Sequence, residues 1–119
     1  MKGSKRRPEQ VAETIRQVIA EALLGELRDP RIGFVTVTDV QVSKDLSVAT
    51  VRVSVMGEEA GRAEALTGLE SAAGFLRSRV SRMLSTRVVP ELRFELDRGL
   101  EHAARIEKIL SDLREEKGD

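Results

Sequence analysis

Apolar residues recur at three- and four-residue steps in three stretches of the chain, which is the spacing of amphipathic helices. The first stretch predicts a helix over residues 8–28, because the pair Asp29-Pro30 forces the backbone out of helical angles. The second stretch predicts a helix over residues 58–85 that glycines interrupt. The third stretch predicts a helix from residue 100 to residue 113, followed by charged residues.

Segments rich in Val and Thr separate these helices and predict three strands, over residues 34–42, 47–55 and 92–96. In the first strand the apolar positions change phase around Thr38-Asp39, which indicates a β-bulge or bend. The short polar link Ser43-Lys44-Asp45 predicts that the first two strands form an antiparallel hairpin.

The resulting order is helix, strand, strand, broken helix, strand, helix, and 119 residues are enough for one domain. This order predicts an α+β fold in which three helical segments pack on one face of a three-stranded sheet. Residues 1–7, which are basic, and about 114–119, which are charged, are expected to be flexible ends of this single domain, residues 1–119.

The composition excludes much site chemistry, since the chain has no Cys, no Trp and no Tyr, one His and three Phe. Disulfides, thiolate zinc sites, iron–sulfur clusters and cysteine nucleophiles are ruled out, and an aromatic platform for stacked bases is not expected. Ser43, Lys44 and Asp45 are ordinary turn residues, and His102 has no second His as a partner. We expect no metal, no cofactor and no enzymatic activity; a hydrolase built on a Ser and His102 is the alternative.

The N-terminus has no apolar segment after its basic residues, so it does not have the pattern of a secretory signal. No stretch reaches the roughly 18 apolar residues of a membrane span. We therefore expect a soluble, cytoplasmic monomer that has no membrane partner.

The formal net charge is zero, from 20 Lys and Arg against 20 Asp and Glu, but the charges are unevenly distributed. Residues 1–7 carry +4 and residues 71–90 carry +4, and neither block contains an acid. The stretches 8–57, 58–70 and 91–119 carry −2, −3 and −3. The chain can therefore present a basic surface to a polyanion while the rest of it stays acidic.

The block 71–90 is the main candidate site, because a helical wheel separates an apolar arc from an arc of Arg, Ser and Gly. Arg side chains fork onto phosphate oxygens, Ser hydroxyls donate to them, and Gly74 admits the close approach of a sugar–phosphate chain. The alternative is a solvated helix face, although such faces normally mix both signs of charge. The candidate RNA contacts here are Gly74, Arg77, Ser78, Arg79, Ser81, Arg82 and Arg87.

The N-terminal block is a second candidate contact. Its four cations suit phosphate oxygens, but runs of this kind are also common as disordered, solubilising ends. Both interpretations stay open for Lys2, Lys5, Arg6 and Arg7.

Six sequence blocks in order resemble one family, ribosome-binding factor A, which is a family of bacterial ribosome-assembly factors. Together they extend over nearly the whole chain, so the match is much more specific than any one block. The blocks are Arg7-Pro8-Glu9-Gln10-Val11-Ala12, Asp29-Pro30-Arg31, Val37-Thr38-Asp39-Val40, Asp45-Leu46-Ser47-Val48-Ala49, Ala73-Gly74-Phe75-Leu76-Arg77 and Arg87-Val88-Val89-Pro90-Glu91-Leu92.

The resemblance implies a type II KH-like domain, and the derived element order agrees with it. KH modules usually clamp a nucleic-acid backbone with a GXXG loop between two helices. The corresponding place here is Ala72-Ala73-Gly74, which resembles the family's shortened Ala-x-Gly kink, and the resemblance adds Ala72 and Ala73 to the candidate RNA contacts. We therefore expect the adjoining Arg77, Arg79 and Arg82 to contact phosphates, rather than clamping by the loop itself.

The resemblance also implies a function: binding to the free 30S subunit and its 16S rRNA, and assistance in late 16S rRNA maturation near the 5′ end. It implies a link to growth at low temperature and assembly GTPases as further partners, and the family is not enzymatic. The alternative is a protein-interaction module that binds a basic ribosomal protein or a GTPase through its acidic C-terminal helix.

Overall fold

The structure is a computed structural model and describes residues 7–25, 27, 29–85, 87–99 and 107–114. Its elements are α1 (Pro8–Gly25), β1 (Val35–Val42), β2 (Val48–Val55), α2 (Glu59–Ser71), α3 (Ala73–Met83) and β3 (Glu91–Leu96). Residues 107–114 form a further helical segment, α4, whose eight residues are all exposed. The predicted α+β fold and its element order are confirmed.

Helix α1 ends earlier than predicted, at Gly25 instead of residue 28. The Leu27 N–H donates to the Ala22 carbonyl at 3.0 Å, a bond that spans five residues and closes a helix C-terminus. The pair Asp29-Pro30 therefore lies in the loop after α1. The predicted end of the helix at residue 28 is wrong because the helix is already capped at Gly25, several residues before the proline.

The three strands form one sheet in the order β1-β2-β3. Strands β1 and β2 are antiparallel, as the short turn predicts, and β3 runs parallel to β2. The β1–β2 register shifts between Val37 and Asp39, so Thr38 is the extra residue of a bulge. The phase change in the sequence is thereby confirmed as a bulge.

One face of the sheet is covered by α1, α2 and α3 and holds the core. The predicted last helix, α4, is exposed over residues 107–114 and does not contribute to this core. Ala49, Val51 and Val53 alternate along β2 and are completely buried, while residues between them, such as Arg52, lie on the open face. Burial of each Val, Leu or Ile side chain stabilises the fold by about 1.5–3 kcal/mol. The helices contribute Val11, Ile15, Ile19, Ala22, Leu69, Leu76 and Val80 to this core.

The turn between β1 and β2 marks one end of the sheet, which we call the turn end. Helix α1 begins there, because Pro8 and Val42 line the same surface cavity. Strand β3 also begins there, because the Glu91 N–H donates to the Ser47 carbonyl at 2.9 Å. Within the described part of the chain, no helix is both long enough and apolar enough to cross a membrane.

Candidate nucleic-acid interface

The joint between α2 and α3 lies at Ala72, the first residue of the predicted Ala72-Ala73-Gly74 kink. The Ala72 N–H still donates to the Gly68 and Leu69 carbonyls of α2, at 3.1 and 3.0 Å, and its carbonyl accepts the Leu76 N–H of α3 at 2.9 Å. Its φ of −88° and ψ of 0° turn the chain without a left-handed residue. The predicted break is therefore present, and Gly74 is the second residue of α3.

Two glycines near this joint have opposite surroundings. A Cβ built on Gly68 would lie 2.8 Å from Ile32 Cγ1, so the loop after α1 needs a glycine at this point of α2. A Cβ built on Gly74 would meet nothing within 4 Å. The described protein therefore does not require Gly74, and the open space next to it is available to a ligand.

Arg77 projects from α3 onto the segment before β3. Its Nε donates to the Pro90 carbonyl at 3.1 Å and its Nη2 donates to the Val89 carbonyl at 2.7 Å. A guanidinium has five N–H donors, so these bonds use two of them. Arg77 therefore holds the entry to β3 against α3, a structural role that the sequence pattern did not indicate.

A groove of about 330 Å³ lies between α3 and the segment before β3. None of its lining residues is acidic, and Arg77, Arg87 and two Ser hydroxyls supply donors of the kind that phosphate oxygens accept. Arg77, Arg87, Ser78 and Ser81 are all exposed. The lining consists of Gly74, Arg77, Ser78, Ser81, Arg87 and Val89. We call it the α3 groove.

The other predicted arginines of α3 face a different neighbour. Arg79 and Arg82 line a smaller cavity of about 140 Å³ between α3 and α1, together with Glu21. The Arg79 guanidinium carbon also lies 5.4 Å from the centre of the Phe75 ring. The structure thus divides the predicted arginine surface, with Arg77 and Arg87 on one side and Arg79 and Arg82 on the other.

Of the four basic residues predicted as RNA contacts at the N-terminus, the structure describes Arg7. Lys2, Lys5 and Arg6 lie outside the described residues. Arg7 is exposed at the start of α1, where its carbonyl accepts the Gln10 N–H at 3.0 Å. It therefore lies at the turn end of the sheet. Strand β3 begins at the same end, directly after Val89 of the α3 groove and Pro90.

The polar cluster in the β1–β2 turn has the structural role that was expected. Asp45 Oδ1 accepts the Ser43 hydroxyl at 2.8 Å, the Ser47 hydroxyl at 2.7 Å and the Ser47 N–H at 3.1 Å. These bonds lower the pKa of Asp45, and the bond from the Ser47 hydroxyl is the largest cause. His102 lies outside the described residues, and among those described no three His, Asp or Glu side chains are grouped to hold a metal.

Comparison with known proteins identifies the family. The model of the ribosome-binding factor A family matches residues 7–110. The chain belongs to the ribosome-binding factor A family. The family member from Desulforamulus reducens is 45% identical to it over 111 residues, which cover 93% of this chain and 92% of the relative.

Solved structures of ribosome-binding factor A share the fold. The solution NMR structure of a Thermotoga maritima protein assigned as ribosome-binding factor A has a TM-score of 0.68 and 38% identity, and the match covers 76% of this chain and 87% of that one. A homology model of Thermus thermophilus ribosome-binding factor A, fitted into a cryo-EM map of a complex with the 30S subunit, has a TM-score of 0.59 and 35% identity. That match covers 72% of this chain and 90% of the other.

Proposed function

We propose that this protein binds the free 30S ribosomal subunit by contacting 16S rRNA phosphates with the α3 groove and the adjoining basic residues. The observation that carries the proposal is the groove itself, whose lining holds two arginines, two serines and an open glycine, and no acid. Family membership supports the ribosomal setting, since a Thermus thermophilus relative is fitted into a 30S complex. We propose further phosphate contacts from Arg79 and Arg82, which lie on the α1 side of α3, and from the basic residues Lys2, Lys5, Arg6 and Arg7.

The effect of binding would be energetic rather than catalytic. A protein that binds one rRNA arrangement better than the alternatives shifts the population towards that arrangement. We propose that the arrangement favoured here belongs to late 16S rRNA maturation near the 5′ end, in the cytoplasm, and that it matters most for growth at low temperature. The chain would act as a monomer.

The decisive experiment reverses one charge in the groove. Arg87→Glu removes a cation that has no carboxylate partner among the described residues, so the fold loses little. Each phosphate neutralised contributes roughly 0.7–0.9 to the slope of log affinity against log salt. Co-sedimentation with isolated 30S subunits at several salt concentrations should show weaker binding and a slope that is smaller by about one.

The matched control is Arg16→Glu, an identical charge change on the exposed side of α1, where Glu13, at 3.4 Å, is the one described carboxylate that pairs with Arg16. Arg16 is not among the residues that line the α3 groove. Its reversal should leave the salt slope unchanged. Equal losses for the two variants would mean that net charge alone attracts the protein to the subunit, and unchanged binding of Arg87→Glu would refute the groove as the site.

A second candidate function rests on α4. Its apolar side chains Ile109, Leu110 and Leu113 are 52%, 51% and 48% exposed, which suits a partner helix or a protein surface. We propose, as this alternative, that the C-terminal segment binds a basic ribosomal protein or an assembly GTPase. Truncation after Gly99 separates the two functions: RNA binding that survives it belongs to the α3 groove, and RNA binding that is lost with it favours the C-terminal segment.

A further inference from the structure

The three phenylalanines of the chain differ in how far the fold buries their side chains. Phe94 is buried in the core at 6% exposure, but Phe34 is 83% exposed and Phe75 is 45% exposed. The composition alone gave no reason to expect a surface that stacks on bases. Two of the three aromatic rings nevertheless reach the surface, so their surroundings decide what each ring can bind.

Phe75 lies at the boundary of the α3 groove. It directly follows Gly74, and Ser78, which lines the groove, stands three residues further along the same helix. Side chains at this spacing are surface neighbours, with Cβ atoms about 5–6 Å apart. A nucleotide whose phosphate occupies the groove therefore has the Phe75 ring within reach of its base.

Arg79 adds a cation to this ring. Its guanidinium carbon lies 5.4 Å from the centre of the Phe75 ring, within the range of a cation–π contact. The contact is between consecutive turns of α3, so it restricts the ring on a rigid element rather than on a loop. Both Arg guanidinium planes and aromatic rings are surfaces on which unpaired bases stack.

Phe34 has none of these neighbours. Its carbonyl accepts the Met56 N–H at 3.2 Å, which places it beyond the paired residues Val35 and Val55, at the end of the hairpin away from the β1–β2 turn. The α3 groove joins β3 at the turn end of the sheet. Phe34 is thus an exposed aromatic residue remote from the cationic groove, and it serves as an internal control.

We propose that Phe75, held by Arg79, is a stacking site for one unpaired nucleobase of RNA whose phosphate lies in the α3 groove. This inference rests on the proposed function and adds the class of nucleic acid: a single-stranded or extruded nucleotide rather than a continuous duplex. Base–aromatic stacking depends little on the identity of the base, because every base has a π face. The site selects unpaired structure and not sequence.

The absence of Trp and Tyr makes the test direct, because Phe75→Trp creates the sole strong fluorophore of the chain. Titration with a short oligoadenylate should quench the indole emission, and a perfectly paired RNA duplex of equal length should not. Phe34→Trp, titrated in the same way, should show no quenching. Equal quenching by duplex and single strand, or none by either, would overturn the proposal.

Affinity gives an independent measure. Phe75→Leu keeps an apolar residue of good helix propensity at this half-exposed position, so the fold is retained. Loss of one stacked base should weaken oligoadenylate binding by about five- to 140-fold. If Phe75→Leu binds normally while Arg87→Glu does not, only the stacking site is refuted; if Arg87→Glu also binds 30S subunits normally, the proposed function itself fails.

Discussion

The outer face of α3 and the open face of the sheet both carry arginines, but these arginines have different partners. Those on the sheet pair with carboxylates, whereas Arg77 on α3 donates to backbone carbonyls. On the sheet, Arg52 of β2 lies in register between Asp39 of β1 and Glu95 of β3, and it pairs with them at 3.8 and 3.5 Å. Arg93 of β3 pairs with Glu91 of the same strand, at 3.2 Å. The sheet face therefore satisfies its own cations.

On α3 and in the segment between α3 and β3, no described carboxylate pairs with Arg77, Arg82 or Arg87. Arg77 donates to neutral carbonyls, and Arg87 faces the groove. The difference originates in the sequence, since β3 alternates acids and bases whereas residues 71–90 contain no acid. A zero net charge thus conceals a sheet face whose described arginines pair with carboxylates and a second surface where Arg77, Arg82 and Arg87 have no described carboxylate partner.

The largest effect should come from removing Arg77, because this residue belongs to both the basic surface and the fold. Arg77→Ala leaves the Val89 and Pro90 carbonyls without their donor, and we expect the free energy of unfolding to fall by about 1.5 kcal/mol. Arg87→Ala, the matched change on the other side of the groove, should alter it by no more than about 0.5 kcal/mol. Urea denaturation of both variants measures the difference, and equal values would show that the carbonyl bonds do not support the fold.

The next effect separates the two glycines, which should respond to alanine with opposite signs. Gly68→Ala places a Cβ against Ile32 and should lower the free energy of unfolding by about 1 kcal/mol. Gly74→Ala enters open space inside a helix and should raise it by about 0.5–1 kcal/mol. Thermal unfolding decides the signs. A Gly74→Ala variant that is more stable yet binds 30S subunits less well would support close approach of RNA at this position.

Much of this comparison could be predicted from the sequence. The helical period, the strand alternation and the phase change at Thr38 are local patterns, and each corresponds to an element or bulge of the structure. The acid-free block 71–90 is also visible without coordinates. These signals are local because they depend on residues a few positions apart.

The division of the arginines could not be predicted in this way. The role of Arg77 depends on carbonyls 12 and 13 residues further along the chain, and carbonyls carry no sequence signature. Arg79 and Arg82 reach the cavity beside α1 only because α1 packs against α3. The need for glycine at 68 likewise comes from a loop more than 30 residues earlier, at Ile32. Each of these facts is set by tertiary packing.

A smaller effect is expected on the sheet face. Arg52→Thr keeps a residue suited to a strand but removes two ion pairs whose side chains are 41–57% exposed. Such pairs contribute only about 0.2–1 kcal/mol and are screened by salt. The loss of stability should therefore shrink at high salt, and 30S binding should stay normal. A binding defect as large as that of Arg87→Glu would mean that the sheet face also contacts RNA.

The smallest effect concerns Arg31, which pairs with Asp29 of the same loop. The contribution of this pair to the free energy of unfolding should depend on pH. The Arg31 Nε donates to Asp29 Oδ1 at 2.9 Å and its Nη2 donates to Asp29 Oδ2. Hydrogen bonding by the Arg31 side chain is the main reason that the pKa of Asp29 falls from 3.8 to about 2. A lowered carboxyl pKa adds stability that is complete above the unfolded value and is lost as pH falls through the folded value. The contribution of Asp29 should therefore disappear between pH 4 and pH 2.

Comparison with Asp29→Asn isolates this contribution from the other carboxylates, which titrate in both proteins. The wild-type urea midpoint should exceed that of the variant above pH 4, and the gap should close towards pH 2 because protonated Asp29 resembles the amide in charge. A gap that stays constant across this range would mean that Asn perturbs the loop sterically, and that the Asp29–Arg31 charge pair stabilises nothing.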